Sequence, residues 1–291
     1  MPVDFVAVGH MTQDRIGDSF RPGGAVSYAA VAACRLGRRP GILTRANLPG
    51  IGGKEARTLT LETAGAVYGA LSGIPVRVLP SSVSTVFQNI YDGEGRRVQA
   101  IESLAGQIAP EELPADWALA PVFLLGPVAN ELPAAWAAAL SPCALLGIAA
   151  QGWLRAWDQA GQIRPTHWEG AQPFLERADA VIFSSEDVDG DEGYVAELAA
   201  HTRLLVVTEG RAGCTVYLGG AAHPVEPRPA REVDPTGAGD VFAAAFLVRL
   251  AETGSPLAAA GFANVAASMS VEAQGMAAIP YRRQVEDWIS S

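Results

Sequence analysis

Short, uninterrupted apolar runs recur along this chain, each bounded by turn residues and separated from the next by a segment of helical character. Val3 to Val8 is one such run, and it stops at Gly9. Ala25 to Leu36 follows with apolar residues at a helical period and is closed by Gly37, which suits the left-handed position after a helix. Gly41 to Thr44 is the next extended run. Val122 to Leu125, Leu145 to Ala149, Ala180 to Phe183 and Leu204 to Thr208 repeat the pattern, with helical segments such as Pro133 to Leu140 and Tyr194 to His201 between them. Short runs without alternation are strands covered on both faces. Strand, helix and strand in that order predict βαβ units. The expected class is therefore α/β: three αβα layers around a mostly parallel central sheet.

Other segments depart from that pattern. Asp14 to Phe20 alternates loosely and predicts a short exposed strand, with a turn at Arg21 to Gly24. Thr58 to Leu71 predicts a helix and Pro75 to Leu79 a strand. Ser84 to Tyr91 and Arg96 to Ile101 flank Asp92-Gly-Glu-Gly95, a hairpin whose outer face carries Gln88, Arg97 and Gln99. Cys214 to Leu218 predicts an antiparallel strand after Gly210 to Gly213. Three helices finish the chain: Val241 to Glu252, Pro256 to Ala273 and Arg282 to Ile289. No repeat or linker divides the 291 residues, so residues 1–291 are expected to form a single unit.

Composition removes several function classes. The formal net charge is −10, from 31 acidic and 21 basic residues, and no basic stripe exists, which disfavours nucleic acid and anionic membrane as partners. The three cysteines are scattered, and the four histidines show no ligand spacing, so neither a disulfide framework nor a zinc site is expected. The first ten residues lack a basic n-region, and no apolar run reaches about 18 residues, so a cytoplasmic location is expected.

The chemistry concentrates in Asp234-Pro-Thr-Gly-Ala-Gly-Asp240, which leads into the apolar helix from Val241. Residues Gly237, Ala238 and Gly239 carry almost no side chain where a loop enters a helix. Their N–H groups can converge on one anion at the positive end of the helix dipole. Asp240 lies in the first turn, where its carboxylate would repel that anion. General-base chemistry gives it a reason: it takes the proton of a hydroxyl as a phosphoryl group arrives. Stabilisation of the first helical turn is the competing reading. No GxxxxGK[ST] string is present, so this is not a P-loop.

This string resembles the C-terminal signature of the PfkB carbohydrate kinase family, whose fold is ribokinase-like. The likeness runs in order along the chain: Gly9 to Asp14, Pro22-Gly23-Gly24 with the following helix, Thr85 to Ile101, Thr208-Glu-Gly-Arg-Ala-Gly213, Ala263-Asn264 and Gly275. The resemblance implies an ATP-dependent kinase acting on a hydroxyl of a small sugar or polyol. It implies a lid of β-strands over residues of about 12–22 and 83–104, with a homodimer formed through lid strands. Asp240 would be the catalytic base and Gly237, Ala238 and Gly239 the anion hole. Asp14, Gly23 and Gly24 would meet the acceptor, with His10 and Tyr28 beside them. Ser184, Thr208, Gly210, Gly213 and Asn264 would line the ATP site. Where the family carries NxxE near Mg²⁺, this chain has Ser184-Ser-Glu-Asp187, so Asp187 and Glu186 compete as carboxylates acting through water. Asp234 and Thr236 match positions that hold K⁺ in some members. Tyr28 stands where ribokinases carry Asn, which argues against ribose and opens a nucleoside-kinase alternative through stacking. A non-catalytic nucleotide- or sugar-binding regulator is the remaining alternative.

Overall fold

The computed structural model describes residues 2–16, 19–47, 55–60, 66–91 and 97–291. The chain order is β1 (Phe5–Val8), β2 (Thr12–Ile16), β3 (Ser19–Gly23), α1 (Ala25–Arg35), β4 (Pro40–Ala46), β5 (Arg57–Thr60), β6 (Pro75–Pro80), β7 (Thr85–Tyr91), β8 (Arg97–Ser103), β9 (Val122–Leu125), α2 (Trp136–Ala139) and β10 (Leu145–Ala149). It continues with β11 (Arg155–Trp157), β12 (Ile163–Pro165), α3 (Gln172–Arg177), β13 (Ala180–Ser184), α4 (Glu192–His201), β14 (Leu204–Thr208), β15 (Cys214–Leu218), β16 (Ala221–Val225), α5 (Ala238–Thr253), α6 (Pro256–Ser270) and α7 (Arg282–Ile289).

Ten strands form the main sheet in the order β16-β15-β14-β13-β10-β9-β1-β4-β6-β5. From β14 to β6 every neighbouring pair is parallel, and antiparallel strands finish both edges. The strands that read as unbroken apolar runs are those with helices on both faces. Alternate residues feed two cores: Phe5 and Ala7 pack with α1, α5 and α6, while Val6 and Val8 pack with α2, α3 and α4. Burial of these side chains is the main stabilising term. The predicted αβα layering is thus the observed one.

Three segments differ from expectation. Thr58 to Leu71 is not one helix: Arg57–Thr60 is an edge strand antiparallel to β6, and a 3₁₀ turn covers Ala66–Leu71. The two β-branched threonines of Arg57-Thr-Leu-Thr60 favour the extended form over helix. The span Asp14 to Phe20 contains two strands rather than one, and β3 runs through the expected turn as far as Gly23. Pro133 to Leu140 yields one regular turn, since its first bonds close to the residue three back, Trp136 N–H to Pro133 O and Ala137 N–H to Ala134 O. The hairpin turn at Asp92 to Gly95 lies outside the described residues.

A second sheet has the order β3-β2-β7-β8. Its β2–β7 pair is parallel and its other pairs antiparallel. It is rooted where β1 ends and where β7 begins. His10 sits at that root, fully buried. Among the described residues no helix is long and apolar enough to cross a membrane.

Candidate active site

Two cavities meet at the N-terminus of α5. The larger, about 620 Å³, is lined by Ser184, Thr208, Gly210, Gly213, Ala238, Gly239 and Asn264 among others. The second, about 430 Å³, lies under the small sheet and is lined by Asp14, Gly24, Tyr28, Phe87, Arg155 and Thr236 among others. Gln151, Glu186, Asp187, Pro235, Gly237 and Asp240 line both. The residues expected for nucleotide thus fall in one cavity, most of those expected for acceptor in the other, and Asp240 on the shared floor.

Local sequence explains this floor. Gly237 is the N-cap of α5 with φ 78°, in the left-handed region that disfavours side chains. A Cβ there would lie 2.1 Å from Cδ1 of Tyr28, so the tyrosine ring packs directly against the loop. The Ala238 N–H is already used, donating to Pro235 O at 3.2 Å. Among the described residues the N–H groups of Gly239 and Asp240 have no protein acceptor. Of the expected trio, Ala238 is thus the residue whose N–H is already committed. An anion here also gains from the dipole of a 16-residue helix.

Asp240 retains partial exposure to the cavities. Burial pushes its carboxyl up to about 7, Arg155 opposes that rise, and the charges of Asp187 and Asp14 add to it. Tyr28 is raised well above the usual phenol range, first by burial and then by Asp234, Asp14 and Asp240. Its hydroxyl stays protonated across the physiological range.

The carboxylates at 186 and 187 differ in their commitments. Asp187 Oδ1 accepts from Gln151 Nε2 at 2.9 Å and Oδ2 from the Ser184 N–H at 2.9 Å. It closes a capping box over the 3₁₀ turn Ser185–Val188, while Ser184 Oγ accepts from the Glu186 N–H at 3.3 Å. The Glu186 carboxylate has no hydrogen-bond partner among the described residues and faces both cavities.

Other expected residues are placed differently. His10 lines neither cavity. Its Nε2 bonds Gly106 O at 2.9 Å, its Nδ1 pairs with Thr85 Oγ1 at 2.8 Å, and its backbone N–H donates to Glu131 at 2.9 Å. Its polar capacity is spent holding the root of the small sheet, not a substrate. Gly23 lies behind Asp14, whose Oδ2 would be 2.8 Å from a Cβ at that position. Asn264 touches the larger cavity, but its amide donates to the carbonyls of Val225 and Glu226 at 2.9 and 3.1 Å. Asp234 lines neither cavity; it accepts from the N–H groups of Thr236 at 3.0 Å and Gly275 at 3.2 Å. Burial raises its carboxyl, and the bonds from Thr236 and Gly275 with the charge of Arg21 outweigh this and leave it lowered.

Arg155, Gln151, Phe87 and Gln99 line the acceptor side without having been singled out as site residues. The Gln151-Gly-Trp-Leu-Arg155 string at the end of β10 was the available signal, because side chains leaving the C-terminal ends of parallel strands converge on the ligand crevice.

Comparison with known proteins bears on this arrangement. The model of the pfkB family carbohydrate kinases matches residues 174–282. The inositol 3-kinase of Zea mays is 33% identical over 159 residues, 55% of this chain. The chain spans about two-fifths of the length of that enzyme and of its rice counterpart, 40% and 38%. The fructokinase of Klebsiella pneumoniae is 29% identical over 290 residues, 91% of each chain. A solved pyrophosphate-dependent kinase in the ribokinase family, complexed with a pyrophosphate analog and myo-inositol, superposes with a TM-score of 0.75 at 20% identity over 97% of this chain and 99% of its own. Residues 174–282 thus carry the pfkB family carbohydrate kinase domain, in a chain with the ribokinase fold.

Proposed function

We propose that this chain is an ATP-dependent kinase that transfers the γ-phosphoryl group to a hydroxyl of a small sugar or polyol. The observation that carries it is the shared floor, where one carboxylate and the open end of a helix stand between a nucleotide-sized cavity and a sugar-sized one. Asp14 holds acceptor hydroxyls and Asp240 orients the attacking one. The hydroxyl oxygen bonds to the γ-phosphorus as the bond to the ADP oxygen breaks, and the proton passes to Asp240. A carboxyl raised to about 7 accepts that proton near neutral pH. The N–H groups of Gly239 and Asp240 meet the charge on the transferring group.

Mg²⁺ bound with the nucleotide neutralises phosphate charge. The uncommitted carboxylate of Glu186 fits the water shell of such an ion, with Asp187 behind it held by Gln151 and Ser184. Asp234 and Thr236 serve the reading as a turn lock. Exchanging K⁺ for Na⁺ in the assay tests whether they also support activation by a monovalent cation.

The names of the relatives point to acceptors such as inositol and fructose. A donor limited to pyrophosphate, as in the solved neighbour, leaves most of the 620 Å³ cavity unused, so ATP is favoured. The nucleoside alternative required Tyr28 to stack on a base, and that ring is packed on Gly237 instead. The small sheet is the lid of this reading, its edge strands β3 and β8 the surface of a homodimer, and the cytoplasm its location.

The test is product release from ATP or pyrophosphate with Mg²⁺ against myo-inositol, fructose, ribose and adenosine. Asp240→Asn should lower kcat by about a thousandfold and leave the nucleotide KM nearly unchanged. Near-normal turnover in that variant would overturn the assignment. Nucleotide binding without release from any acceptor would favour the regulator.

A further inference from the structure

The strand pair β11–β12 stands apart from the shared floor. These strands form a sheet of their own, outside both larger sheets. One end is rooted in the main sheet, since Arg155 follows the 3₁₀ turn Ala150–Trp153 at the end of β10. The tip is tied to the small sheet. Ile101 N–H donates to Gly161 O at 2.8 Å, and Ala100 bridges Gln162. Gly161 has φ 80°, and a Cβ there would lie 2.2 Å from Ile101 O, so this approach requires glycine. Under the pair, Trp157 and Ile163 pack with Ala25, Phe87 and Val128. The hairpin is therefore a strap between the two sheets, passing along the acceptor cavity.

Arg155 is the basic residue on the wall of that cavity. Its guanidinium lies 5.8 Å from the ring centroid of Phe87, on β7 of the small sheet. Asn130 Nδ2 donates to its backbone O at 3.2 Å and holds the strand in place. Arg155 shares the cavity lining with Phe87, Asp14, Glu186, Asp187 and Asp240, and a guanidinium is a planar fork of donors that can bridge several oxygens.

We propose that β11–β12 is an acceptor-binding element in which Arg155 donates hydrogen bonds to the hydroxyls of the bound polyol, at a position set by the Gly161 tether to the small sheet. This rests on the kinase reading of the same cleft. A hydrogen bond from a charged donor contributes enough for its loss to weaken acceptor binding tenfold or more.

The experiment measures steady-state kinetics with myo-inositol, fructose or ribose, whichever the wild-type protein turns over. Arg155→Met should raise the acceptor KM by about tenfold or more and leave the ATP KM within about twofold. Arg155→Lys should recover part of the loss. Gly161→Ala, with Arg155 intact, should raise the acceptor KM too, and Trp157 emission should shift on adding acceptor without ATP. An unchanged acceptor KM in Arg155→Met overturns the proposal alone. So does a fall in kcat with a displaced pH profile and constant KM, which would make Arg155 only a counter-charge to Asp240. Absence of wild-type turnover with every acceptor overturns this proposal together with the kinase reading. If Arg155→Met does not fold, Arg155→Lys and Gly161→Ala decide by the same KM criterion.

Discussion

Replacing Asp240 by Asn should stabilise the folded protein at neutral and alkaline pH while lowering kcat by about a thousandfold. Burial lifts the Asp240 carboxyl from the ordinary 3.8 to about 7, against the pull of Arg155, so the fold prefers the neutral form. In the interval between those values the folded chain holds a proton that the unfolded chain has released. The contribution of this group to stability is therefore complete below about pH 3.9 and is lost as pH rises towards 7. A shift of about three units corresponds to a ceiling of about 4 kcal/mol. Asp240 is partly open to the cavities, and solvent screening brings the expected cost down to about 2 kcal/mol. Asn keeps the shape and never ionises. Asp14, Asp187, Arg155 and Tyr28 face the position in both proteins, so the difference isolates residue 240. Urea denaturation of both proteins from about pH 5.5 to about pH 8 gives the comparison. The advantage of the variant should widen by about 1 kcal/mol or more over that range and level off above about pH 7. A constant difference, or a wild-type protein that is the more stable one at the alkaline end, would refute the argument that the site stores destabilisation for its base.

Three further outcomes test other parts of the site. His10→Phe removes ring partners from Thr85 and Gly106, and should cost about 2 kcal/mol of stability by denaturation while leaving the acceptor KM within about twofold; a large KM change at unaltered stability would return His10 to substrate binding. Gly237→Ala forces a side chain into a φ of 78° and against Tyr28, costing about 1–2 kcal/mol from backbone conformation alone, and kcat should fall about tenfold or more because the loop that presents the Gly239 N–H must shift; wild-type kcat would show that this loop does not set the rate. Glu186→Gln should raise the Mg²⁺ concentration for half-maximal turnover more than Asp187→Asn does, while Asp187→Asn should lose about 1 kcal/mol of stability with its capping box. The reverse order would assign the ion to Asp187.

What was legible in the sequence depended on whether the signal was local. Phe5–Val8, Val122–Leu125 and Leu204–Thr208 are covered on both faces, so burial left an unbroken apolar string that can be read directly. Asp234 to Asp240 could be read as a helix entry because consecutive small residues precede an apolar helical run, and α5 does start at Ala238. The strand Arg57–Thr60 was not legible, because an exposed edge strand carries no burial pattern and the β preference of two threonines is too weak a signal in a run of four residues. His10 sits four residues before Asp14, an expected substrate ligand, and only the tertiary fold brings Thr85, Gly106 and Glu131 around it. Arg155 was unreadable for the same reason: its meaning lies in Phe87 and Asp240, far away in the chain.

The charge of the acceptor cavity sets a limit on what it can accept. Asp14, Glu186, Asp187 and Asp240 line it against Arg155, an excess of three negative charges when Asp240 is ionised. Unit charges about 8 Å apart interact by about 2 kcal/mol at an effective dielectric constant of 20. A divalent ion arriving with the nucleotide offsets part of this excess but lies on the donor side. An acceptor that already carries phosphate brings up to two more negative charges into the remaining field, with one guanidinium to receive them. This charge therefore favours a neutral occupant over an anionic one, in keeping with the proposed polyol acceptor. The phosphate monoester of the best neutral acceptor should show a kcat/KM at least about a hundredfold lower, and raising the salt concentration should narrow the gap. Equal or better turnover of the phosphorylated compound, insensitive to salt, would mean that Arg155 governs the cavity and that the four carboxylates are neutralised when acceptor binds.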